Sequence, residues 1–209
     1  MIMTDTNAIW DRIAERYARK PVPDEDVYRK KLSITQGYFT PDMKVFEFGC
    51  GTGTTAVIHA PFVQHVHAID VSAKMLEIAE NRAAEAGVDN VTFEQAAIDD
   101  FSAADDSYDV VLGLSILHLV ADRDAIIARV RRMLKPGGVF VSSTACLGDK
   151  LWFFKYIEPI GRRLGLMPMV KVFTVKELED SLTKAGFEID YNWVPKKGHT
   201  AFIVAKKAG

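Results

Sequence analysis

Three glycines at alternate positions follow a short apolar run in the stretch VFEFGCGTGTT, residues 45–55. Glu47 lies just before the first of them, and Asp70 ends the next apolar run, HVHAID. A glycine-rich turn after a strand lets the backbone approach a ligand, and an acid at the end of the second strand accepts hydrogen bonds from a ribose diol. The pattern therefore predicts a site for a ligand that contains a nucleoside.

The spacing of the glycines narrows the type of ligand. Counted from Gly49, the dinucleotide fingerprint G-x-G-x-x-G needs its third glycine at position 54, where the chain has Thr54; the third glycine is Gly53 instead. A P-loop is excluded because no Gly-Lys-Ser/Thr follows. Asp70 alone does not distinguish NAD from other adenosine ligands, because all of them contain a ribose.

The elements that position these residues follow a regular rhythm from Pro41 onward. Short apolar runs (KVFEF, HVHAID, VTFEQ, YDVVLGL, GGVFVSST) alternate with helical segments that include SAKMLEIAENRAAEAG and DRDAIIARVRRMLKPGG. Strict alternation predicts an α/β fold with a doubly wound, mostly parallel sheet. The runs FEIDYNWV and HTAFIVAKK are joined by PKKG, which is too short for a parallel crossover, so they predict a C-terminal antiparallel hairpin.

Composition and length favour one domain over residues 1–209, with a helical leader (1–40), a cofactor-binding core (41–144), an insertion (145–173) and a C-terminal helix and hairpin (174–209). The formal net charge is -2 and charges of both signs are mixed along the chain, without the basic face of a general nucleic-acid binder, so no nucleic-acid partner is expected. Two distant cysteines and the absence of a signal peptide or a spanning stretch predict a reduced, cytoplasmic protein. Oligomeric state is not readable from the chain.

The insertion is rich in large apolar residues. Leu151, Trp152, Phe153, Phe154, Tyr156 and Ile157 surround a helix on nearly all sides, so we expect them to be covered. One interpretation is a lid packed on the leader helices, and a compatible one is a lid lining an apolar substrate pocket. With Lys155, Arg162, Arg163 and Lys171 nearby, an amphipathic segment making peripheral membrane contact also stays open.

At this level the chain resembles the class I S-adenosylmethionine (SAM)-dependent methyltransferases, strongly over residues 40–145. The resemblance is carried by the loop from Glu47 to Gly53, Asp70, YDVVLGL and LKPGG, in the right order. It implies a seven-stranded Rossmann-like sheet and SAM as cofactor, with S-adenosylhomocysteine as product. The chain departs from the family pattern in EQAAIDD, where Ala97 replaces the acid that many relatives place against the adenine amino group.

The resemblance also implies roles for individual residues. Gly49, Gly51 and Gly53 would shape the loop around the methionine part of the cofactor, and Glu47 would orient the loop or meet the cofactor amino group. The remaining expected cofactor contacts are Asp70 with the ribose hydroxyls, Val71 and Met75 with the adenine face, backbone groups of Ala97 and Ile98 (or Asp99 in a shifted register) with the adenine edge, and Leu114 and Tyr17 with the cofactor.

Residues after the fourth strand are candidates for the acceptor side. His118 could deprotonate an attacking hydroxyl or only contact the substrate, and it is the one candidate catalytic residue. Ser115, Tyr17, Trp152 and Phe153 complete the expected substrate-binding set. No metal is predicted: His65 and His67 share one side of a strand, but no third ligand lies nearby in the sequence.

The resulting hypothesis is a methyltransferase, a transferase that methylates a small, apolar or amphipathic acceptor by in-line displacement. Rival hypotheses are a non-catalytic binder of SAM or S-adenosylhomocysteine, a lipid or quinone methyltransferase acting at a membrane surface, and an NAD-dependent oxidoreductase. The sequence does not decide which atom type of the acceptor is methylated.

Overall fold

The computed structural model describes residues 3–163, 168–195 and 200–209. The chain divides into two compact units, Met1–Ser102 and Ala103–Gly209. None of the helices in these described ranges is long and apolar enough to cross a membrane.

The first unit contains three parallel strands in the order β3-β2-β1. The strands are β1 (Lys44–Phe48), β2 (His65–Asp70) and β3 (Val91–Gln95), and the helices are α1 (Met3–Ala18), α2 (Glu25–Gln36), α3 (Thr54–His59) and α4 (Ala73–Glu85). β1 is buried from Val45 to Phe48, as expected of a parallel strand covered on both faces. The predicted strands and crossover helices of this unit are confirmed.

Helix α4 begins and ends where its sequence indicates. The Ser72 side chain caps it by accepting a hydrogen bond from the Met75 amide at 3.1 Å. Gly87, with φ +66°, follows its last turn in the left-handed conformation that terminates helices. The buried stripe of α4 includes Leu76, Ala79 and Ala83. This cap fixes the start of α4 directly behind the carboxyl end of β2.

The second unit contains strands in the order β4-β5-β7-β6. They are β4 (Tyr108–Leu114), β5 (Leu134–Ala145), β6 (Phe187–Trp193) and β7 (Thr200–Lys207), with helices α5 (Arg123–Met133), α6 (Phe154–Arg163) and α7 (Val175–Lys184). β4 and β5 are parallel, whereas β7 pairs antiparallel with both β5 and β6. The predicted antiparallel hairpin is therefore confirmed, and residues 196–199 of its link lie outside the described residues.

Helix α5 ends earlier than the sequence pattern indicated. Leu134 already belongs to β5 and pairs with Tyr108. Pro136 does not continue a helix, and Gly137 turns the chain with a φ of +74°. A Cβ on Gly138 would lie 2.8 Å from the Lys135 carbonyl oxygen, so this turn is too tight for a side chain. The turn feeds β5 directly into its pairing with β4.

Candidate functional site

The glycine loop after β1 has two kinds of glycine. Gly49, Gly51 and Gly53 all have positive φ values, 67°, 54° and 68°. A Cβ on Gly51 would meet no atom of the described chain within 4 Å, whereas one on Gly53 would lie 2.6 Å from the Ala79 Cβ. Gly51 thus borders open space that a ligand can occupy, and Gly53 permits close packing of the loop on α4.

Asp70 joins the end of β2 to the glycine loop. Its Oδ2 accepts a hydrogen bond from the Gly51 amide at 2.8 Å, and its Oδ1 accepts one from the Ser72 amide at 2.9 Å. Burial raises the pKa of Asp70 despite these amides, which act to lower it. A carboxylate offers about four acceptor positions, so Asp70 keeps capacity for a ligand hydroxyl.

Glu47 is a buried acid under the same loop. Its side chain is 2% exposed, and Oε2 has no hydrogen-bond partner among the described residues. Burial, reinforced by the charge of Asp70, raises the pKa of Glu47 to about 8. A buried acceptor without a partner is costly in a folded protein, so this carboxyl suits a cationic or hydrogen-bonding ligand group.

Arg82 on α4 holds the loop from behind, a role that sequence reasoning missed. Its Nη1 donates to the carbonyl oxygen of Thr52, to Thr52 Oγ1 at 2.8 Å and to Thr54 Oγ1 at 2.6 Å. A guanidinium that donates to both a carbonyl and two hydroxyls fixes the conformation of the segment between Gly51 and α3.

The leader helix α1 is tied to the start of α4. Asp11 Oδ1 accepts a hydrogen bond from Ser72 Oγ at 2.6 Å and one from the Lys74 amide at 3.2 Å. Tyr17 lies further along α1. The pKa of its hydroxyl is raised, first by burial and second by the charge of the nearby Asp70 carboxylate. The structure therefore brings the leader beside Asp70, with the Tyr17 side chain 47% exposed.

A cavity of about 420 Å³ opens beside this group in the same unit. It is lined by Asn7, Val71, Glu94, Gln95, Ala96, Ala97, Asp100, Phe101 and Ser102. Val71 and Ala97 were expected to contact adenine and both line it, whereas Met75 and Ile98 are buried, 2% and 6% exposed, and do not. Asn7 and Asp100 are polar lining residues that the sequence pattern did not single out.

Three predicted site residues lie at or soon after the carboxyl end of β4: Leu114, expected to contact the cofactor, and Ser115 and His118, expected on the acceptor side. Leu114 ends the strand half-buried, and Ser115 has a positive φ of 60° while its amide donates to the Ser143 carbonyl at 2.6 Å. A serine held in this conformation is strained, which is frequent at functional sites. Burial lowers the pKa of His118 to about 4, and its Nδ1 has no hydrogen-bond partner among the described residues. His118 is therefore neutral near pH 7.

The insertion differs from the expectation that its apolar residues are covered. Trp152, Phe153, Tyr156 and Ile157 are 59%, 44%, 62% and 49% exposed. The expectation that they are covered is therefore wrong for these four side chains. Helix α6 begins only at Phe154, so Trp152 and Phe153 precede it. We call the four exposed side chains the aromatic surface.

The two histidines of β2, His65 and His67, contact side chains of the neighbouring strand β3. His65 Nε2 lies 3.1 Å from Thr92 Oγ1, and His67 Nε2 lies 2.9 Å from Glu94 Oε2, both partners being on β3. Among the described residues, no group of three or more His, Cys, Asp or Glu side chains could hold a metal ion. These contacts explain the shared side of the two histidines without a ligand.

Comparison with known proteins defines the class. A family model described as a methyltransferase domain matches residues 39–186, well over half of the chain. The chain belongs to this methyltransferase family. The resemblance to class I SAM-dependent methyltransferases, and with it SAM as the cofactor of the family, is confirmed.

Individual relatives carry methyltransferase names. The chain is 29% identical over 150 residues to a ubiquinone biosynthesis O-methyltransferase of Cereibacter sphaeroides, covering 70% of the chain and 60% of that protein. It is 34% identical over 155 residues to the 27-O-demethylrifamycin SV methyltransferase of Amycolatopsis mediterranei, covering 69% of the chain and 54% of that protein. The chain thus spans little more than half the length of these two curated relatives.

A solved structure shows the same fold. The crystal structure of YcgJ from Bacillus subtilis matches with a TM-score of 0.71 at 17% identity, covering 87% of this chain and 99% of that one. This likeness confirms the predicted α/β class, a mostly parallel seven-stranded Rossmann-like sheet with a C-terminal antiparallel hairpin.

The residues of the first unit fit the cofactor of this family. The open space at Gly51, the remaining acceptor capacity of Asp70 and the unpartnered Glu47 oxygen suit a cationic ligand that carries a ribose. The cavity bounded by Val71 and Ala97 is within the size range of sites for small ligands.

Proposed function

We propose that the chain is a SAM-dependent methyltransferase that acts on a small, apolar or amphipathic acceptor in the cytoplasm. The observation that carries the proposal is the hydrogen bond from the Gly51 amide to Asp70, which presents a carboxylate with spare acceptor capacity beside the open face of the loop. When bound, SAM supplies a methyl group on a sulfonium sulfur for in-line displacement, and S-adenosylhomocysteine is the product.

The residues of the chain have to bind the cofactor and orient it for methyl transfer. Asp70 accepts from the ribose hydroxyls, and Glu47 balances the positive charge of the cofactor. Gly49 and Gly51 admit the methionine part, with Tyr17 as a further contact, and Gly53 and Arg82 keep the loop in shape behind them. Val71 and the backbone of Ala97, which line the cavity, contact the adenine. Positioning of this kind can lower a reaction barrier by about 7–11 kcal/mol, and in-line displacement needs no covalent enzyme intermediate.

The acceptor is assigned by chemical class only. Both named relatives act, by their names, in methylation of small-molecule products, and both names specify oxygen. An oxygen acceptor has to lose a proton. His118 is neutral near pH 7 and can accept a hydrogen bond from a hydroxyl, so we assign it the acceptor side together with Ser115, Trp152 and Phe153.

A screen with methyl-labelled SAM tests this function. The protein is incubated with fractions of a metabolite extract, and the label is followed into an organic-solvent extract, with Asp70→Ala as the matched control. We expect label in a small, extractable molecule with the wild-type chain and much less with the variant. Tight SAM binding without label in any fraction would contradict the enzyme and favour a non-catalytic binder.

A further inference from the structure

The aromatic surface lies at the start of α6 and is unusual in exposing four large apolar side chains together. Trp152 contacts Phe153 and Tyr156 edge to face, each with ring centroids 6.3 Å apart. The Lys155 Nζ lies 6.0 Å from the Trp152 ring centroid and 5.0 Å from that of Tyr156. Exposed apolar groups packed against one another in this way mark a site of interaction.

The charge around this surface is positive. Lys150, Lys155 and Arg163 are exposed, and the sequence between Lys150 and Arg163 contains a single acid, Glu158, which is 8% exposed. The preceding acid, Asp149, accepts a hydrogen bond from the Val175 amide at 2.9 Å. The chain as a whole carries a net charge of -2, so the positive charge is local to this segment.

These features point to one kind of partner. Tryptophan and tyrosine favour the interface between lipid headgroups and acyl chains, and neighbouring lysines favour anionic headgroups. A second copy of the chain is disfavoured, because a two-fold contact through this surface would bring the same cations face to face. Helix α6 has 10 residues, far short of a span, so it suits contact in the plane of the interface.

We propose that the aromatic surface docks the chain on anionic lipid bilayers, with the rings of Trp152 and Tyr156 at the headgroup level and Lys155 beside the lipid phosphates. The proposal goes beyond methyl transfer and does not depend on it, since docking needs neither SAM nor an acceptor.

Co-sedimentation with lipid vesicles tests the proposal directly. The chain is mixed with vesicles of phosphatidylcholine alone or of phosphatidylcholine with phosphatidylglycerol, at low and high salt. We expect sedimentation only with the anionic vesicles and less of it at high salt. Trp152→Ala/Tyr156→Ala should abolish it, and Lys155→Glu should weaken it roughly fivefold or more, given the usual contribution of one cation near such a surface.

Matched controls separate this surface from general stickiness. Phe62 is an aromatic residue of the first unit with similar exposure, 46%, so Phe62→Ala should bind vesicles like the wild-type chain. Lys184→Glu reverses a charge on α7 and should also bind normally. A blue shift of tryptophan fluorescence with anionic vesicles should be lost in Trp152→Phe, which keeps an aromatic ring at this position.

Three results would overturn the proposal. The first is an absence of sedimentation with anionic vesicles. The second is equal sedimentation of wild type and Trp152→Ala/Tyr156→Ala. The third is self-association that increases with protein concentration and is lost in that double variant, which would make a second copy the partner.

Discussion

The Asp70 carboxylate accepts a hydrogen bond from the Gly51 amide, with 2.8 Å between Oδ2 and N. This bond joins the carboxyl end of β2 to the loop after β1, two segments 19 residues apart in the chain. It holds the acid beside the open face of the loop. The predictions for the first unit follow from this arrangement and from the groups that support it.

Asp70→Ala should weaken SAM binding by about 1–3 kcal/mol, or roughly five- to 150-fold in dissociation constant, through the loss of buried hydrogen bonds to the ribose. Calorimetric titration measures this loss. Asp105→Ala removes an exposed acid of the second unit and serves as the control. Unchanged affinity in the Asp70 variant would remove this residue from the ribose site.

Gly51→Ala and Gly53→Ala should separate ligand space from packing. The Gly53 variant places its Cβ 2.6 Å from that of Ala79 and at a φ of +68°, so it should lower the free energy of unfolding by about 1–3 kcal/mol. The Gly51 variant meets no protein atom, so it should lose SAM affinity with a smaller loss of stability. Denaturant titration measures the stability of both variants, and calorimetry measures their SAM affinity. A larger loss of stability in Gly51→Ala than in Gly53→Ala would refute our assignment of Gly51 to ligand space and Gly53 to packing.

Arg82→Ala should release the loop and weaken SAM binding by roughly five- to tenfold, because three hydrogen bonds from one guanidinium are lost. Arg29, whose exposed pair with Glu25 lies on α2, supplies the control Arg29→Ala. Arg82→Lys keeps the positive charge on a single donor nitrogen and should recover part of the affinity. Equal SAM affinity in Arg82→Ala and Arg29→Ala would show that Arg82 has no part in positioning the loop.

Glu47 should make stability fall as pH rises. Its pKa is raised from 4.5 to about 8 by burial, so between these values the folded chain keeps a proton that the unfolded chain has lost. The free energy of unfolding therefore decreases as pH rises through this window. Glu47→Gln does not ionise and should show a flatter profile in denaturant titrations from pH 5 to 8. Identical slopes for both proteins would contradict the raised pKa.

The same carboxyl should release a proton when SAM binds near neutral pH, because a cationic ligand favours ionised Glu47. Calorimetry in buffers of different ionisation enthalpy counts the protons. Glu47→Gln should release fewer, and equal release by the two proteins would place the proton elsewhere.

His118→Ala should leave SAM affinity unchanged and lower the rate of methyl transfer to an oxygen acceptor. Because burial holds the pKa of His118 at about 4, the imidazole is already neutral near pH 7 and gains no function from a further rise in pH. Calorimetry and single-turnover transfer measure the two effects. A large loss of SAM affinity would place His118 in the cofactor site instead.

The local features of the fold and site were predictable from the sequence. The glycine spacing, Asp70 and the Ser72 cap are each read within a few residues, because turns and caps depend on local backbone geometry. Arg82 was not predictable, since it lies 30 residues from Thr52 and nothing in the helical pattern indicates where its guanidinium points. Asn7 and Asp100 line the cavity only because distant segments meet there.

The structure of the insertion could be predicted from the sequence only in part. Its residues correctly indicated an apolar helical segment, but whether Trp152 and Tyr156 are covered depends on neighbours that spacing does not specify. Their exposure, 59% and 62%, could be learned only from the folded chain.

Parallel titration of the chain with SAM, S-adenosylhomocysteine and NADH tests directly whether the glycine loop and Asp70 form a SAM site. We expect tight binding of SAM and of S-adenosylhomocysteine, weakened in Asp70→Ala, and no binding of NADH. Tight NADH binding without SAM binding would contradict the SAM site and favour an NAD-dependent oxidoreductase.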